Sequence, residues 1–158
     1  MSNVEPIAPF LGPLEKSVTV PKIPAEAFRI FTEGIARWWP LAKFSVSHGS
    51  AKTAKTCAIE PFVGGGLFEV DEDGARHSWG RIVAWNPPSR VAFTWHPGSD
   101  PASAQDVEVT FTADGKGTRV TLVHSGWQKL GEKGAAARAG YGEGWTVVLG
   151  EAYTAACG

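Results

Sequence analysis

From Cys57 to His124 the chain alternates apolar and polar residues strand after strand, and only one stretch after it could form a long amphipathic helix. Val91, Phe93 and Trp95 alternate with Ala92, Thr94 and His96. Val107, Val109 and Phe111 alternate with Asp106, Glu108, Thr110 and Thr112, and Val120, Leu122 and His124 continue the pattern. A period of two puts one set on each face of a strand. Turn chemistry at Asp71-Glu72-Asp73-Gly74, Asn86-Pro87-Pro88 and Asp114-Gly115-Lys116-Gly117 separates the strands. An antiparallel meander with one apolar face must cover that face. The candidate cover runs from about Glu132 to Ala156, where Tyr141, Trp145, Val148/Leu149, Ala152 and Ala156 recur at helical spacing.

The remaining segments fit around this pair. Lys16 to Val20 reads as a first strand ended by Pro21. Pro24 opens a helix through Phe28 and Phe31 that Gly34 stops, and a second short helix runs from Ile35 to Trp39. Leu41 to Thr56 is polar and carries only weak signals, so a loop with a short strand is expected. Pro97 to Ala104 is expected to be a mobile loop. Residues 1–13, with Pro6, Pro9 and Pro13, read as an extended arm, and 14–158 as a single domain. The order is β-α-α-(β)6-α, an α+β arrangement in which a curved antiparallel sheet of about six to seven strands grips a long C-terminal helix. Gly140, Gly142, Gly144 and Gly150 each cost that helix up to about 1 kcal/mol against alanine. Small residues there let the sheet approach closely or leave room beside the helix.

Composition limits function more than fold. Fifteen Lys/Arg against sixteen Asp/Glu give a net charge of −1 over 158 residues, which offers no footprint for nucleic acid. No apolar run reaches the roughly 18 residues of a membrane span. The start, Met1-Ser2-Asn3-Val4-Glu5-Pro6, lacks the marks of a signal peptide, so a cytoplasmic protein with Cys57 and Cys157 as free thiols is expected. The unusual count is seven tryptophans. Side chains that large either fill a core or wall a cavity.

Several short stretches carry a resemblance: Gly64-Gly65-x-Leu67-Phe68, Trp79-Gly80-Arg81-Ile82-Val83, Asn86-Pro87-Pro88-Ser89-Arg90-Val91, Phe93-Thr94-Trp95, His124-Ser125-Gly126-Trp127 and Gly144-Trp145-x-x-x-Leu149. In this order, across about Leu14 to Ala156, the chain resembles the SRPBCC (START-like) superfamily. Within it, the likeness is to the branch named after activators of the heat-shock protein 90 ATPase. The resemblance implies a helix-grip fold with a deep apolar cavity that holds a hydrophobic or amphipathic small molecule. It also implies two alternatives: a stress-related module that binds a chaperone, and an enzyme of the cyclase or hydrolase kind.

Alternation nominates cavity residues: Trp79, Phe93, Trp95, Val109, Phe111, Leu122, Tyr141, Trp145 and Leu149, with the Trp38-Trp39-Pro40 corner as a lid. Ordinary core packing is the competing account for each. His124 falls on the inward set, either as a buried neutral histidine or as a polar anchor for a ligand head group. His77, Trp79 and Arg81 share one face of a regular strand. Facing inward, Arg81 would be a buried cation needing Glu69, Glu60 or a ligand carboxylate; facing outward, all three would be solvated.

Other chemistry finds little support. Histidines at 48, 77, 96 and 124 lack metal-ligand spacing. Gly64-Gly65-Gly66 lacks the Lys-Ser/Thr of a phosphate loop. Val123 stands where a nucleophile elbow at Ser125 would need glycine. No catalytic residue, metal or cofactor is assigned, and a monomer or homodimer is expected.

Overall fold

The computed structural model describes residues 11–158. Seven antiparallel strands form one sheet: β1 (Leu14–Val20), β2 (Ala54–Ile59), β3 (Gly66–Asp71), β4 (Arg76–Asn86), β5 (Arg90–Trp95), β6 (Gln105–Asp114) and β7 (Gly117–Ser125). Their order, β1-β7-β6-β5-β4-β3-β2, is an unbroken meander with β1 returned to the edge beside β7. The register stacks the apolar set. Val109 faces Val91 on one side and Leu122 on the other, and Phe111 faces Val120. All five are buried.

Two short helices, α1 (Pro24–Thr32) and α2 (Ile35–Trp38), connect β1 to β2. The C-terminal helix begins with α3 (Gly134–Val147), passes through a π-helical turn at Val148–Tyr153 and ends as α4 (Thr154–Cys157). The sheet's apolar face closes on it, making this the helix-grip fold expected from sequence. The π turn corrects the expected spacing. Tyr153 and Cys157 are buried while Ala156 is exposed, because the wider turn rotates the last residues relative to a straight 3.6-residue helix. The Tyr153 hydroxyl donates to the Ala27 carbonyl at 2.7 Å, tying the helix end to α1.

Residues 1–10 of the expected arm lie outside the described residues. Its last part is docked: Arg138 on α3 donates to the carbonyls of Gly12 at 2.8 Å and Pro13 at 3.0 Å. The segment expected to be a mobile loop after β5 instead holds a 3-10 turn, Pro101–Ser103. Asp100 caps it, accepting from the Ala102 N–H at 2.8 Å.

Strand β4 departs from regular alternation twice. Its register slips against β3 beside Leu67/Phe68 and against β5 between Ile82 and Ala84. The first bulge puts Trp79 and Ile82 on the buried face, an odd spacing that no regular strand permits. His77, Trp79 and Arg81 therefore do not share one environment. His77 is half-buried against Asp71, Trp79 is fully buried and Arg81 is exposed, its guanidinium donating to the Gly64 carbonyl at 3.2 Å. Neither expected carboxylate pairs with it. Gly80 at this bulge meets β5 so closely that a Cβ would stand 1.8 Å from the Thr94 carbonyl oxygen.

Candidate functional site

Between the sheet and α3 lies a cleft of about 740 Å³, open to solvent on one side. Sheet residues Trp79 and Trp95 and the α2 corner residue Trp39 supply its floor. Gly140, Tyr141, Gly144 and Trp145 supply the helix wall, and Lys43 to Val46 the opposite wall. The four indoles form one cluster. Trp39 lies 4.8 Å from Trp79, 5.9 Å from Trp95 and 6.0 Å from Trp145, and Trp95 lies 5.5 Å from Trp145.

An indole carries one donor that must be satisfied when buried. Here every one is met by the protein. Trp39 donates to the Phe44 carbonyl at 2.8 Å, Trp79 to Glu69 at 2.8 Å, Trp95 to the Tyr141 hydroxyl oxygen at 3.1 Å and Trp145 to His124 at 3.1 Å. The nitrogens are thus committed, and the cluster serves the cleft as apolar and π surface.

Glu69 fixes the far wall. Its carboxylate is buried and accepts from the backbone N–H groups of Val46 at 2.6 Å and Ser47 at 2.9 Å, from the Ser47 hydroxyl at 2.5 Å and from Trp79. Burial pushes the carboxyl upward, but these donors more than cancel that and hold it below the ordinary glutamate value. One anion in β3 thereby locks both the wall segment and a floor indole.

His124 is held behind Trp145. An indole only donates, so Nδ1 must accept and the ring proton must sit on Nε2. Nε2 faces the Gln105 carbonyl oxygen at 3.3 Å, and the Gln105 amide nitrogen donates to the Ser103 carbonyl at 2.6 Å. The ring also stacks on Trp127 with centroids 4.0 Å apart. Burial drives its pKa down to about 3, so it stays neutral. With both nitrogens engaged it has no free atom to anchor a head group.

The residues nominated from sequence separate into two groups. Trp39, Trp79, Trp95, Tyr141 and Trp145 line the cleft. Phe93, Val109, Phe111, Leu122, Leu149 and Trp38 are buried in the packed interior and do not line it. Phe111 packs edge-on against Phe28 at 5.2 Å, under α1. Trp38 turns away from the cleft, 5.2 Å from Tyr153, and donates to the Ile30 carbonyl at 2.9 Å. The Trp38-Trp39 corner is therefore part floor and part core. Arg81 is outside the cleft altogether. Sequence reasoning missed Lys43, Phe44, Ser45 and Val46 because that segment has no periodicity, and it named Glu69 only as a partner for Arg81, whereas Glu69 anchors this wall. The helix glycines were its one available signal for the opening.

Among the described residues, no group of three or more His, Cys, Asp or Glu side chains could hold a metal, and no helix is long and apolar enough to cross a membrane. Cys57 and Cys157 are free and buried, and burial pushes the Cys57 thiol up to about 12.

Comparison with known proteins agrees with this geometry. Residues 23–153 match the family described as activator of Hsp90 ATPase homolog 1-like protein. No curated protein sequence matches the chain. Among solved structures, the anthrahydroquino-γ-pyrone synthase Txn09 is 38% identical over 82% of this chain and 85% of that one, with a TM-score of 0.56. The self-sacrificing resistance protein CalC from Micromonospora echinospora is 31% identical, over 90% and 92% of the two chains, with a TM-score of 0.68. Protein BH1534 from Bacillus halodurans, 17% identical over 94% and 98% with a TM-score of 0.66, shares the fold. The chain is a member of the activator of Hsp90 ATPase homolog 1-like family, built on the helix-grip fold of START-like proteins.

Proposed function

We propose that this protein binds a flat, aromatic, amphipathic small molecule in the cleft between the sheet and α3. The observation that carries the reading is the indole cluster: four tryptophans whose nitrogens are all satisfied internally present ring surface to a space of about 740 Å³. That volume falls within the roughly 300–1,000 Å³ of small-molecule sites. Ring stacking and apolar burial, at roughly 25 cal/mol per Å², supply the affinity. The name of Txn09, an anthrahydroquino-γ-pyrone synthase, supports an aromatic ligand.

Binding is favoured over proton-transfer catalysis by the lining itself. Among the described residues, its ionisable groups are Lys43 and Tyr141, and burial raises the Tyr141 phenol so that it keeps its proton. His124, the base that a cyclase-type reaction would call on, is locked by Trp145 and Gln105. The test is tryptophan fluorescence with a panel of fused-ring aromatics, with native mass spectrometry of the purified protein for co-purified ligand. Saturable quenching is expected. Unchanged emission across the panel, with no bound mass, removes the reading.

A second reading follows from the family's description and one surface feature. Phe62, Val63 and Val83 are exposed, and the Gly64 N–H to Ile82 carbonyl bond at 2.8 Å brings the first two beside the third. Such a patch suits a protein partner such as the Hsp90 chaperone. Stimulation of the chaperone's ATPase that is lost in Phe62→Ser would favour it.

A further inference from the structure

Resting on the binding reading above, we propose that the ligand is an aromatic acid rich in acceptor oxygens, oriented by an anionic group at Lys43 and a ring carbonyl at Tyr141. The indoles offer no free donors, so orientation falls to the remaining polar side chains of the lining. Among the described residues, Lys43 is the one cation there and no carboxylate lines the cleft. Lys43 has no ion pair among the described residues. Two positions on, Ser45 lines the same wall, and its hydroxyl is the buried side-chain oxygen without a partner among the described residues. A buried hydroxyl left so is costly unless something in the cleft meets it.

The opposite wall has the same bias. The Tyr141 oxygen already accepts from Trp95 at 3.1 Å, and its own proton has no acceptor among the described residues. An N–H donated to a phenol oxygen strengthens that phenol as a donor. Lysine and tyrosine thus offer protons into a cleft that offers few acceptors, with an unmet serine hydroxyl buried in its wall. A ligand of matching chemistry carries a carboxylate or ionised phenol at one end and a ring carbonyl at the other.

Calorimetric titration with three probes tests this: anthraquinone-2-carboxylate, 2-(hydroxymethyl)anthraquinone and anthracene-2-carboxylate. The first is expected to bind tightest, by about threefold to tenfold over each of the others, the scale of one half-exposed charge-assisted contact. Lys43→Met should abolish the preference for carboxylate over hydroxymethyl and keep that for quinone over anthracene. Tyr141→Phe, checked for folding by circular dichroism, should do the reverse. Equal affinity for all three probes overturns the inference and leaves the binding reading standing. Preferences that survive both substitutions overturn the assignment to these residues. No heat with any probe overturns both.

Discussion

The Trp79 indole nitrogen lies 2.8 Å from a carboxylate oxygen of Glu69, a buried anion whose other partners are the backbone and hydroxyl of the cleft wall. A strand residue, a floor indole and a loop without periodicity are thereby made one rigid unit. Such a buried carboxylate without a cation persists only because each lone pair is met.

Removing that anion should therefore loosen the wall before the sheet. Glu69→Ala strands several donors and is expected to cost about 2–4 kcal/mol. Glu69→Gln keeps one acceptor and costs less. The folded pKa lies below the ordinary 4.5, so the contribution is present above that value and lost as pH falls through the depressed folded value. Urea unfolding between pH 5 and pH 3 should show a steeper loss in the native protein than in Glu69→Gln.

His124 governs a different window. Its pKa falls from 6.5 to about 3 on folding, because burial disfavours the charged ring. Below 6.5 the unfolded chain takes up a proton that the folded protein refuses, so stability declines with pH until about 3. The slope approaches about 1.4 kcal/mol per pH unit. His124→Gln is neutral throughout. Its unfolding free energy should therefore fall less steeply than the native protein's from pH 6 to 4.5, above the range where Glu69 titrates. Parallel curves for the two proteins would show that the ring is charged inside.

Gly80 is fixed by contact. A Cβ 1.8 Å from the Thr94 carbonyl oxygen meets backbone of the neighbouring strand, which cannot move aside without breaking the β4–β5 ladder. Gly80→Ala should cost more than about 3 kcal/mol, beyond the usual range for a single change. It should leave the protein largely in inclusion bodies or with a sharply lowered Tm. A melting curve within a few degrees of the native one would refute the bulge geometry.

The parts of this fold that repeat could be read from its residues. Val107, Val109 and Phe111 reveal β6 because one face is dry and the other wet, and Trp145 with Leu149 reveals the helix for the same reason. The bulge at Trp79 could not be read, since alternation assigns Arg81 to the face of Trp79 and only the register slip against β3 reverses it. The π turn hid Tyr153 similarly. Part of the cleft came from aromatics visible as an inward set, but that set could not separate Phe111, packed under α1, from Trp95, which borders open space. The wall from Lys43 to Val46 owes its place to Glu69, a long-range contact that no local pattern announces.

The opening itself depends on what α3 lacks. Gly140 and Gly144, one helical turn apart, line the cleft; a Cβ at Gly140 would meet nothing within 4 Å, and one at Gly144 would make ordinary contact with Phe44 at 3.6 Å. Neither glycine is required by backbone conformation, and each costs the helix up to about 1 kcal/mol against alanine. A helix that forgoes this stability at two positions facing one cleft is keeping space open. Gly140→Ala should raise stability by about 0.5–1 kcal/mol, read as a higher Tm, with aromatic binding retained. Gly144→Leu should also fold, but its branched side chain fills the space between Phe44 and Trp145, and affinity for a fused-ring probe should drop at least about tenfold. A stable Gly144→Leu protein that still binds with native affinity would place the ligand elsewhere.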